Sequence, residues 1–305
     1  MIKLKLIILI VFISLFNNFA LEAQVKNNIL FWGSGGYSSL MTNTQNIIPM
    51  GDVGFGLGAG YELHYNSFML QMGAEFTYLN ANLKLQDFSQ DKDLIDIEGD
   101  PYVGHLNFTQ NSDHYKLGNI NIPLMAGAQF GNLYLLVGGK VGLNILGTSN
   151  VKTLVSTTAT YPQFIDDFSN MPNHALTETN EEATYPVKLE LNGSVSAEAG
   201  IYLGTSDIKA GKPRYRMSLF CDYGLLNVHD NTVNEDLILN KNVEISNYEP
   251  TMNSLMRSVS LQNSIVNTLF VGVKFTVELG LKEKVDCHCE PYQVFRTNKK
   301  TKRYK

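Results

Sequence analysis

The chain has 305 residues, of which 44% are hydrophobic and 17% are charged, and its formal net charge is −5. The charged fraction is low, because soluble domains average about 25% charged residues. Basic residues are concentrated only in a short stretch at the C-terminal end, so the composition excludes an ordinary nucleic-acid-binding protein.

The first segment of the chain has the three parts of a signal peptide. Lys3 and Lys5 form a positive end, residues 6–16 form an apolar core, and Ala23 offers a small residue for cleavage. The sequence therefore predicts that residues 1–23 are a signal peptide and that the rest is exported. A retained helical anchor is the weaker alternative, because the apolar run is well short of about 18 residues. Since no later segment is long and apolar enough for a spanning helix, a barrel is the remaining membrane structure.

The stretch from Gly51 to Tyr65 alternates between apolar and other residues without interruption. Its apolar side begins at Val53, and its other side carries four glycines together with the ionisable Glu62 and His64. Alternation with period two predicts a strand. Glycines on one face of a strand indicate that space is short on that face, as it is inside a narrow barrel.

Seven further segments have the same character, although the facing of the first of them is ambiguous because it is rich in glycine and serine. They are Ile29–Leu40, Ser67–Asn80, Asn119–Phe130, Leu133–Ile145, Val187–Leu203, Tyr215–Leu225 and Leu269–Leu281.

The links between these eight segments alternate between short and long. Three links are short or modest, around 66, 131–132 and 205–213, and three of the other four are long, at 84–114, 149–185 and 229–264. Barrels of bacterial outer membranes have short periplasmic turns, long outer loops and an even number of strands. The sequence predicts an all-β fold over residues 24–282, an eight-stranded antiparallel up-and-down transmembrane β-barrel with long extracellular loops. A soluble exported sandwich is the alternative.

The polar faces of these strands carry charges of both signs. Five of them lie at comparable heights, six to eight residues from the periplasmic turns: Glu75, Lys140, Glu198, Asp222 and Lys274. Charges removed from water need partners, and the lumen of eight strands is only wide enough for side chains. We therefore predict a structural, salt-bridged lumen charge cluster, with a conducting path or proton relay as the alternative.

No motif in the sequence carries recognisable catalytic chemistry. The glycines at 54–60 do not have the dinucleotide-binding spacing, and no helix pattern follows them. No serine, histidine and carboxylate stand at a spacing typical of hydrolases. The acidic segment Asp87–Asp100 is interpreted as a solvated loop that divalent ions visit at most. The expectation is a non-enzymatic protein without cofactor, catalytic residues or metal site.

The C-terminal residues 283–305 continue beyond the last predicted strand. They contain Cys287 and Cys289 on either side of His288, followed by a basic end. We expect either a solvated periplasmic tail or a docking peptide for an anionic or protein partner in the envelope. The other expected partners are outer-membrane lipids and lipopolysaccharide, through the apolar faces of the strands.

The segment from Tyr115 to Ile145 resembles the central hairpin of PorT-like outer-membrane β-barrel proteins. The residues that carry the resemblance are Tyr115, Leu117, Ile122, Pro123 and Leu124 in one strand and Gly138, Lys140 and Gly142 in the next. The resemblance implies a location in the outer membrane of a Gram-negative cell, where the best-known relatives serve protein secretion and gliding. It implies a scaffold or binding component of the cell envelope, linked to secretion or surface assembly. A small-solute pore and a lipid-modifying barrel enzyme are the alternatives.

Overall fold

A computed structural model of the chain describes residues 25–96, 98–162, 177–187, 191–204, 212–228, 235–241, 248–258 and 264–281. The predicted signal peptide, residues 1–23, and the predicted tail, residues 283–305, lie outside these ranges. Within the described residues, no helix has the length and apolar character that crossing a bilayer requires.

The described residues form strands joined by turns, with one 3-10 turn at Leu255–Arg257. All pairings between the strands are antiparallel. The strands are β1 (Val25–Thr42), β2 (Ile47–Tyr65), β3 (Phe68–Leu85), β4 (Phe88–Ile95), β5 (Pro101–Phe130), β6 (Leu133–Thr160), β7 (Thr177–Pro186), β8 (Leu191–Leu203), β9 (Pro213–Gly224), β10 (Ile238–Asn240), β11 (Pro250–Met252) and β12 (Val266–Gly280).

Eight of these strands close into a ring in the order β1, β2, β3, β5, β6, β8, β9 and β12. The ring closes because β12 pairs with β1, from Asn28 opposite Gly280 to Thr42 opposite Val266. The prediction of an all-β, eight-stranded antiparallel barrel is therefore confirmed. Seven of the predicted strands lie within or close to the observed bounds, and the predicted Val187–Leu203 begins as a described strand only at Leu191.

The two ends of the barrel differ in their connections. At one end, here called the turn end, β2 joins β3 through residues 66–67, β5 joins β6 through 131–132, and β8 joins β9 through 204–212. Asn66 and Gly131 have positive φ angles of 55° and 62°, as tight two-residue hairpin turns require. The opposite end, the loop end, carries the remaining connections.

Two predictions about the loop end are wrong. The segments 84–114 and 149–185, predicted as long loops, are largely strands: β5 and β6 continue past the ring, β4 pairs with β5, and β7 pairs with β6. The predicted acidic loop Asp87–Asp100 contains β4 itself. Backbone pairing forms this extension sheet of β4, β7, residues 101–111 and residues 148–160. Its strands are rich in Ser, Thr and Asn, and polar residues such as Asn111 and Thr153 are buried, so the apolar–polar alternation is weaker than in the strands of the ring.

The two faces of the ring carry the residues that the alternation assigned to them. Outward-facing Val53, Leu57 and Leu219 are each more than 60% exposed. Inward-facing Glu62 and Arg216 are fully buried. The ring is thus apolar outside and charged inside, the reverse of a soluble protein.

The glycine-rich inner face of β2 accommodates Trp32, which was not predicted because the facing of β1 was ambiguous. A Cβ atom at Gly58 would lie 2.3 Å from Cε2 of Trp32, and one at Gly60 would lie 3.1 Å from Cζ3. The Nζ atom of Lys274 stands 4.8 Å from the ring centroid on this indole. Among the predicted cluster residues, only Glu75 lies near these glycines, at 3.3 Å from a Cβ at Gly56. Gly58 therefore makes room for the tryptophan, whereas a Cβ atom at Gly60 would first meet the backbone oxygen of Met72, at 2.4 Å.

We predict that Gly58→Ala destabilises the barrel by about 1–3 kcal/mol, the usual cost of overpacking a filled interior. The rigid indole of Trp32 would have to move away from the added methyl group. Urea titration of the refolded protein in detergent, followed by tryptophan emission, measures the difference. Gly33→Ala is the matched control, because a Cβ there meets its nearest neighbour, Leu57, at an ordinary 3.6 Å. Equal unfolding midpoints for the two variants would contradict the packing argument.

Candidate functional site: the charged lumen and its closing segment

The first charge group in the lumen is centred on Lys140 of β6. Its ammonium group donates to Oε2 of Glu75 on β3 and to Oδ2 of Asp222 on β9, both at 2.7 Å. The hydroxyl of Ser196 donates to the other oxygen of Asp222. All four side chains are buried, so one cation pairs with two carboxylates away from bulk water.

The second charge group joins Lys274 of β12 to Glu198 of β8. The ammonium group of Lys274 lies 2.7 Å from Oε2 of Glu198. Oε1 of Glu198 accepts from the hydroxyls of Tyr134 at 2.6 Å and Ser218 at 2.9 Å. The structure thus brings the five predicted cluster residues together as two ion-paired groups, one of Glu75, Lys140 and Asp222 and one of Glu198 and Lys274.

A third charge group lies at the turn end of the lumen. The guanidinium of Arg216 donates to Oε2 of Glu62 at 2.8 Å, and that of Arg214 pairs with Glu278. His64 lies 2.5 Å from Oε1 of Glu62. Arg214 was missed by the sequence reasoning because the strand was predicted to begin one residue later. Extending the alternation from Arg216 back by two positions would have found it.

The charges of the described lumen are nearly balanced. In the three charge groups, five carboxylates face four cations, and each of these carboxylates has a cation within 2.8 Å. The carboxylates are Glu62, Glu75, Glu198, Asp222 and Glu278, and the cations are Lys140, Arg214, Arg216 and Lys274.

Three groups at the turn end have the spacing of metal ligands. One ligand atom each from Glu62, His64 and Glu278 lies within 4.8 Å of the others. However, Arg214 and Arg216 already pair with the two carboxylates, and a divalent cation would have to displace these two positive charges. The arrangement suits ion pairing better than metal binding.

Toward the loop end the lumen becomes apolar, which the alternation of the ring strands did not indicate. The buried residues of this region are Leu40, Ile47, Leu79, Ala81, Leu83, Tyr115, Leu117, Phe220, Leu255, Met256, Val266 and Phe270. Leu255 and Met256 belong to the closing segment, residues 248–258, which contains β11 and the 3-10 turn. Their insertion among the side chains of the ring strands packs the closing segment into the mouth of the barrel.

The closing segment is held by Asp113, a buried carboxylate on β5. Its oxygens accept hydrogen bonds from the hydroxyls of Tyr115, Ser149 and Ser254 and from the backbone N–H of Leu255. The distances from Oδ2 to Ser254 Oγ and to Leu255 N are 3.0 and 2.8 Å. Four donors thus replace the solvent that the carboxylate loses on burial.

Burial raises the pKa of Asp113 above its ordinary value, although the four hydrogen bonds oppose this. Burial, together with the neighbouring negative charge of Asp113, also raises the pKa of Tyr115 well above its ordinary value. At this height the outward positions of β3 and β5 are polar, at Asn82, Lys84 and His114. Asp113 therefore lies outside the apolar band of the barrel.

The extension sheet has its own packed face, covered by the β10–β11 hairpin and its flanking residues. Phe88 of β4 stacks on Phe108 of β5 at 4.9 Å between ring centroids, and Ile238 and Tyr248 pack against the same cluster. Lys92 donates to the hydroxyl of Tyr248 at 3.2 Å. These contacts give the loop end a folded unit in place of open loops.

One row of side chains on the extension sheet has the order of a hydrolase triad. Nδ1 of His105 lies 2.7 Å from Oδ1 of Asp91, and Nε2 lies 2.9 Å from Oγ1 of Thr160. The three residues come from neighbouring strands, so their spacing in the sequence gave no signal. The side chain of Asp91 is 68% exposed, and water therefore competes for the hydrogen bond that would orient the imidazole.

Comparison with known proteins identifies no family. No family model matches the chain, and no curated protein matches it. Among solved structures, the chain is similar to Ail, the attachment invasion locus protein of Yersinia pestis, in complex with the heparin analogue sucrose octasulfate. The identity is 10%, the TM-score is 0.27, and the match covers 82% of this chain and 98% of Ail.

We predict that Lys140→Met destabilises the barrel by about 3–5 kcal/mol, because Glu75 and Asp222 would be left buried without their cation. Urea titration of the refolded protein, read by gel mobility of unheated samples, gives the free energy of unfolding. Combining Lys140→Met with Glu75→Gln and Asp222→Asn should recover part of the loss, because no unpaired charge then remains. A single variant as stable as the wild type would show that the pairing contributes nothing.

The raised pKa of Asp113 gives a second prediction. A carboxyl whose folded-state pKa is raised contributes stability below its ordinary value of 3.8 and loses that contribution as the pH rises through the raised pKa. The free energy of unfolding of the wild type minus that of Asp113→Asn should therefore fall as the pH rises above the ordinary value of 3.8. The slope is at most about 1.4 kcal/mol per pH unit. Urea titrations of both proteins at a series of pH values measure it, and parallel profiles would refute it.

Proposed function

We propose that this protein is an integral outer-membrane β-barrel without enzymatic activity, which acts as a scaffold and binding component of the cell envelope. The observation that carries this proposal is the apolar outer band of a closed ring whose charged groups at the level of that band face inward. In water, a continuous apolar surface of this kind would lead to aggregation, because soluble monomers rarely expose large apolar patches.

The apolar band has the dimensions of a bilayer crossing. The outward apolar positions of β5 run from Ile120 to Phe130, and those of β6 run from Leu133 to Ile145. About 9–11 tilted residues of a strand cross a membrane, and a closed ring leaves no unpaired strand edge in the hydrocarbon. The partners of this band are outer-membrane phospholipid and lipopolysaccharide.

The arrangement of the connections supports an orientation. Outer-membrane barrels keep short turns and both chain ends in the periplasm, so the turn end faces the periplasm and the loop end faces outward. The extension sheet and the β10–β11 hairpin are then the surface that the cell presents to its environment. In this orientation β12 ends at Gly280 on the periplasmic side, and the basic residues of the tail 283–305 would suit an anionic or protein partner there.

The contents of the lumen favour a scaffold over a small-solute pore. Three charge groups cross the lower part of the lumen, and the closing segment buries Leu255 and Met256 in the upper part. A solute would have to break ion pairs and displace packed apolar side chains. The row of Asp91, His105 and Thr160 is the observation that would support a lipid-modifying enzyme. This support is weak, because the row is exposed to water.

The resemblance of residues 115–145 to PorT-like proteins supports a finer role in protein secretion or surface assembly. Those residues form the β5–β6 hairpin, which continues from the ring into the extension sheet. A hairpin of this length would connect the part of the protein in the membrane to the part outside it. The role in secretion rests on the sequence resemblance alone.

Site-specific photo-crosslinking in the native envelope tests the membrane placement and the binding role together. A probe at Leu57, on the apolar band, should label lipid. A probe at Glu182 on β7, whose side chain is 63% exposed, should label a protein partner in intact cells. The protein should sediment with the outer membrane and migrate faster on gels when unheated.

Two outcomes would contradict the proposal. Protein partners captured at Leu57, without lipid, would show that the apolar band is a protein interface and would remove the membrane placement. Steady single-channel conductance from the purified protein in planar bilayers would show that the protein is a pore and not a scaffold.

A further inference from the structure

A row of buried polar atoms follows the inner face of β1 and β12 at the junction that closes the ring. Six side-chain atoms there are buried and make no hydrogen bond to any described residue. We call this row the seam, and its atoms are Oδ1 and Nδ2 of Asn28, Nε1 of Trp32, Oγ of Ser34, Oγ1 of Thr276 and Oε2 of Glu278.

The register of the two strands makes the seam continuous. Trp32 lies opposite Thr276, and the next inward positions toward the turn end are Leu30, opposite Glu278, and then Asn28. From Asn28 to Ser34 is six residues, which span about 20 Å along a strand. The unpaired atoms therefore form a line from the turn end to the middle of the barrel.

The seam offers donors and acceptors side by side. Trp32 Nε1 and Asn28 Nδ2 donate, the carboxylate oxygen of Glu278 accepts, and the hydroxyls of Ser34 and Thr276 do both. More than nine in ten buried polar groups of folded proteins are hydrogen-bonded to protein or to ordered water. Water is the small molecule that both donates and accepts, and a buried water makes about three hydrogen bonds.

We infer that the seam binds a file of water, which enters from the turn end and ends at the middle of the barrel. Six atoms at about three hydrogen bonds per water require at least about two molecules. The water hydrogen-bonds the indole N–H of Trp32, which would otherwise be a buried donor without a partner.

The file ends above Ser34 because the lumen is filled there. The hydroxyl of Ser38 already donates to the carbonyl of Asn80 at 2.5 Å. A Cβ atom at Gly54 would lie 3.0 Å from both Phe270 and Ser38, so side chains are in close contact at this level. Phe270 then packs against Phe220 at 4.8 Å between ring centroids. Water thus reaches the lower charge groups without a path through the barrel.

Trp32 reports on the seam directly, because it is the single tryptophan of the chain. Ultraviolet resonance Raman spectroscopy of the refolded full-length protein distinguishes a hydrogen-bonded indole N–H from a free one. We expect the hydrogen-bonded band, and we expect exchange to N–D in heavy water while the barrel remains folded. A free N–H band, or exchange only after unfolding, would overturn the inference.

A matched pair of variants separates bound water from a direct contact to protein. Thr276→Val removes one ligand of the file at nearly constant volume, and the Trp32 band should shift toward the free position. Ser39→Ala removes a buried hydroxyl of β1 that bonds to the carbonyl of Leu40, and it should leave the band unchanged. An unchanged band in Thr276→Val, with the barrel folded, would show that water does not hold the indole.

A separate measurement tests whether the file of water ends inside the barrel. Liposomes that contain the refolded protein and a pH-sensitive dye should show no faster proton flux than liposomes without protein. Faster flux would show that the file does not end there and would make the seam part of a path through the membrane.

Discussion

The ring depends on the pairing of charges that its inner face carries. An eight-stranded lumen has room for side chains and little else, so a charged group there must meet an opposite charge or remain unpaired at a high cost in free energy. The pairs Lys140–Glu75, Arg216–Glu62 and Lys274–Glu198 each join strands that are not neighbours in the ring. The hydrogen bonds between neighbouring strands close the ring, and these ion pairs connect strands across the lumen.

The ring could be predicted from the sequence because each ring strand has one uniform face. Apolar residues that face outward and polar residues that face inward give an alternation that is visible without a structure, and the inward charges follow from it. The extension sheet could not be predicted in this way, because polar residues such as Asn111 and Thr153 are buried there, so its strands show only a weak apolar–polar alternation. The closing segment has no periodicity at all, and its place in the barrel is decided by Asp113, which is distant in sequence.

The lumen has two chemically different halves. Near the turn end, carboxylates are neutralised by cations on other strands, and the seam of β1 and β12 adds unpaired polar atoms beside them. Near the loop end, apolar side chains fill the space, and the carboxylate of Asp113 is satisfied by four neutral donors. The lumen is therefore charged near the turn end, and it is closed by packed apolar side chains near the loop end, beside the extension sheet.

The junction of β1 and β12 brings together residues that are about as far apart in the chain as the described residues allow. Asn28 lies opposite Gly280, so this pairing closes a loop that contains every other strand, and the entropy of closing so long a loop is lost when it forms. A chain shortened at either end would lose the junction itself. The two exposed strand edges could then pair with those of another chain. Loss of residues at one terminus would therefore promote association between copies of the protein.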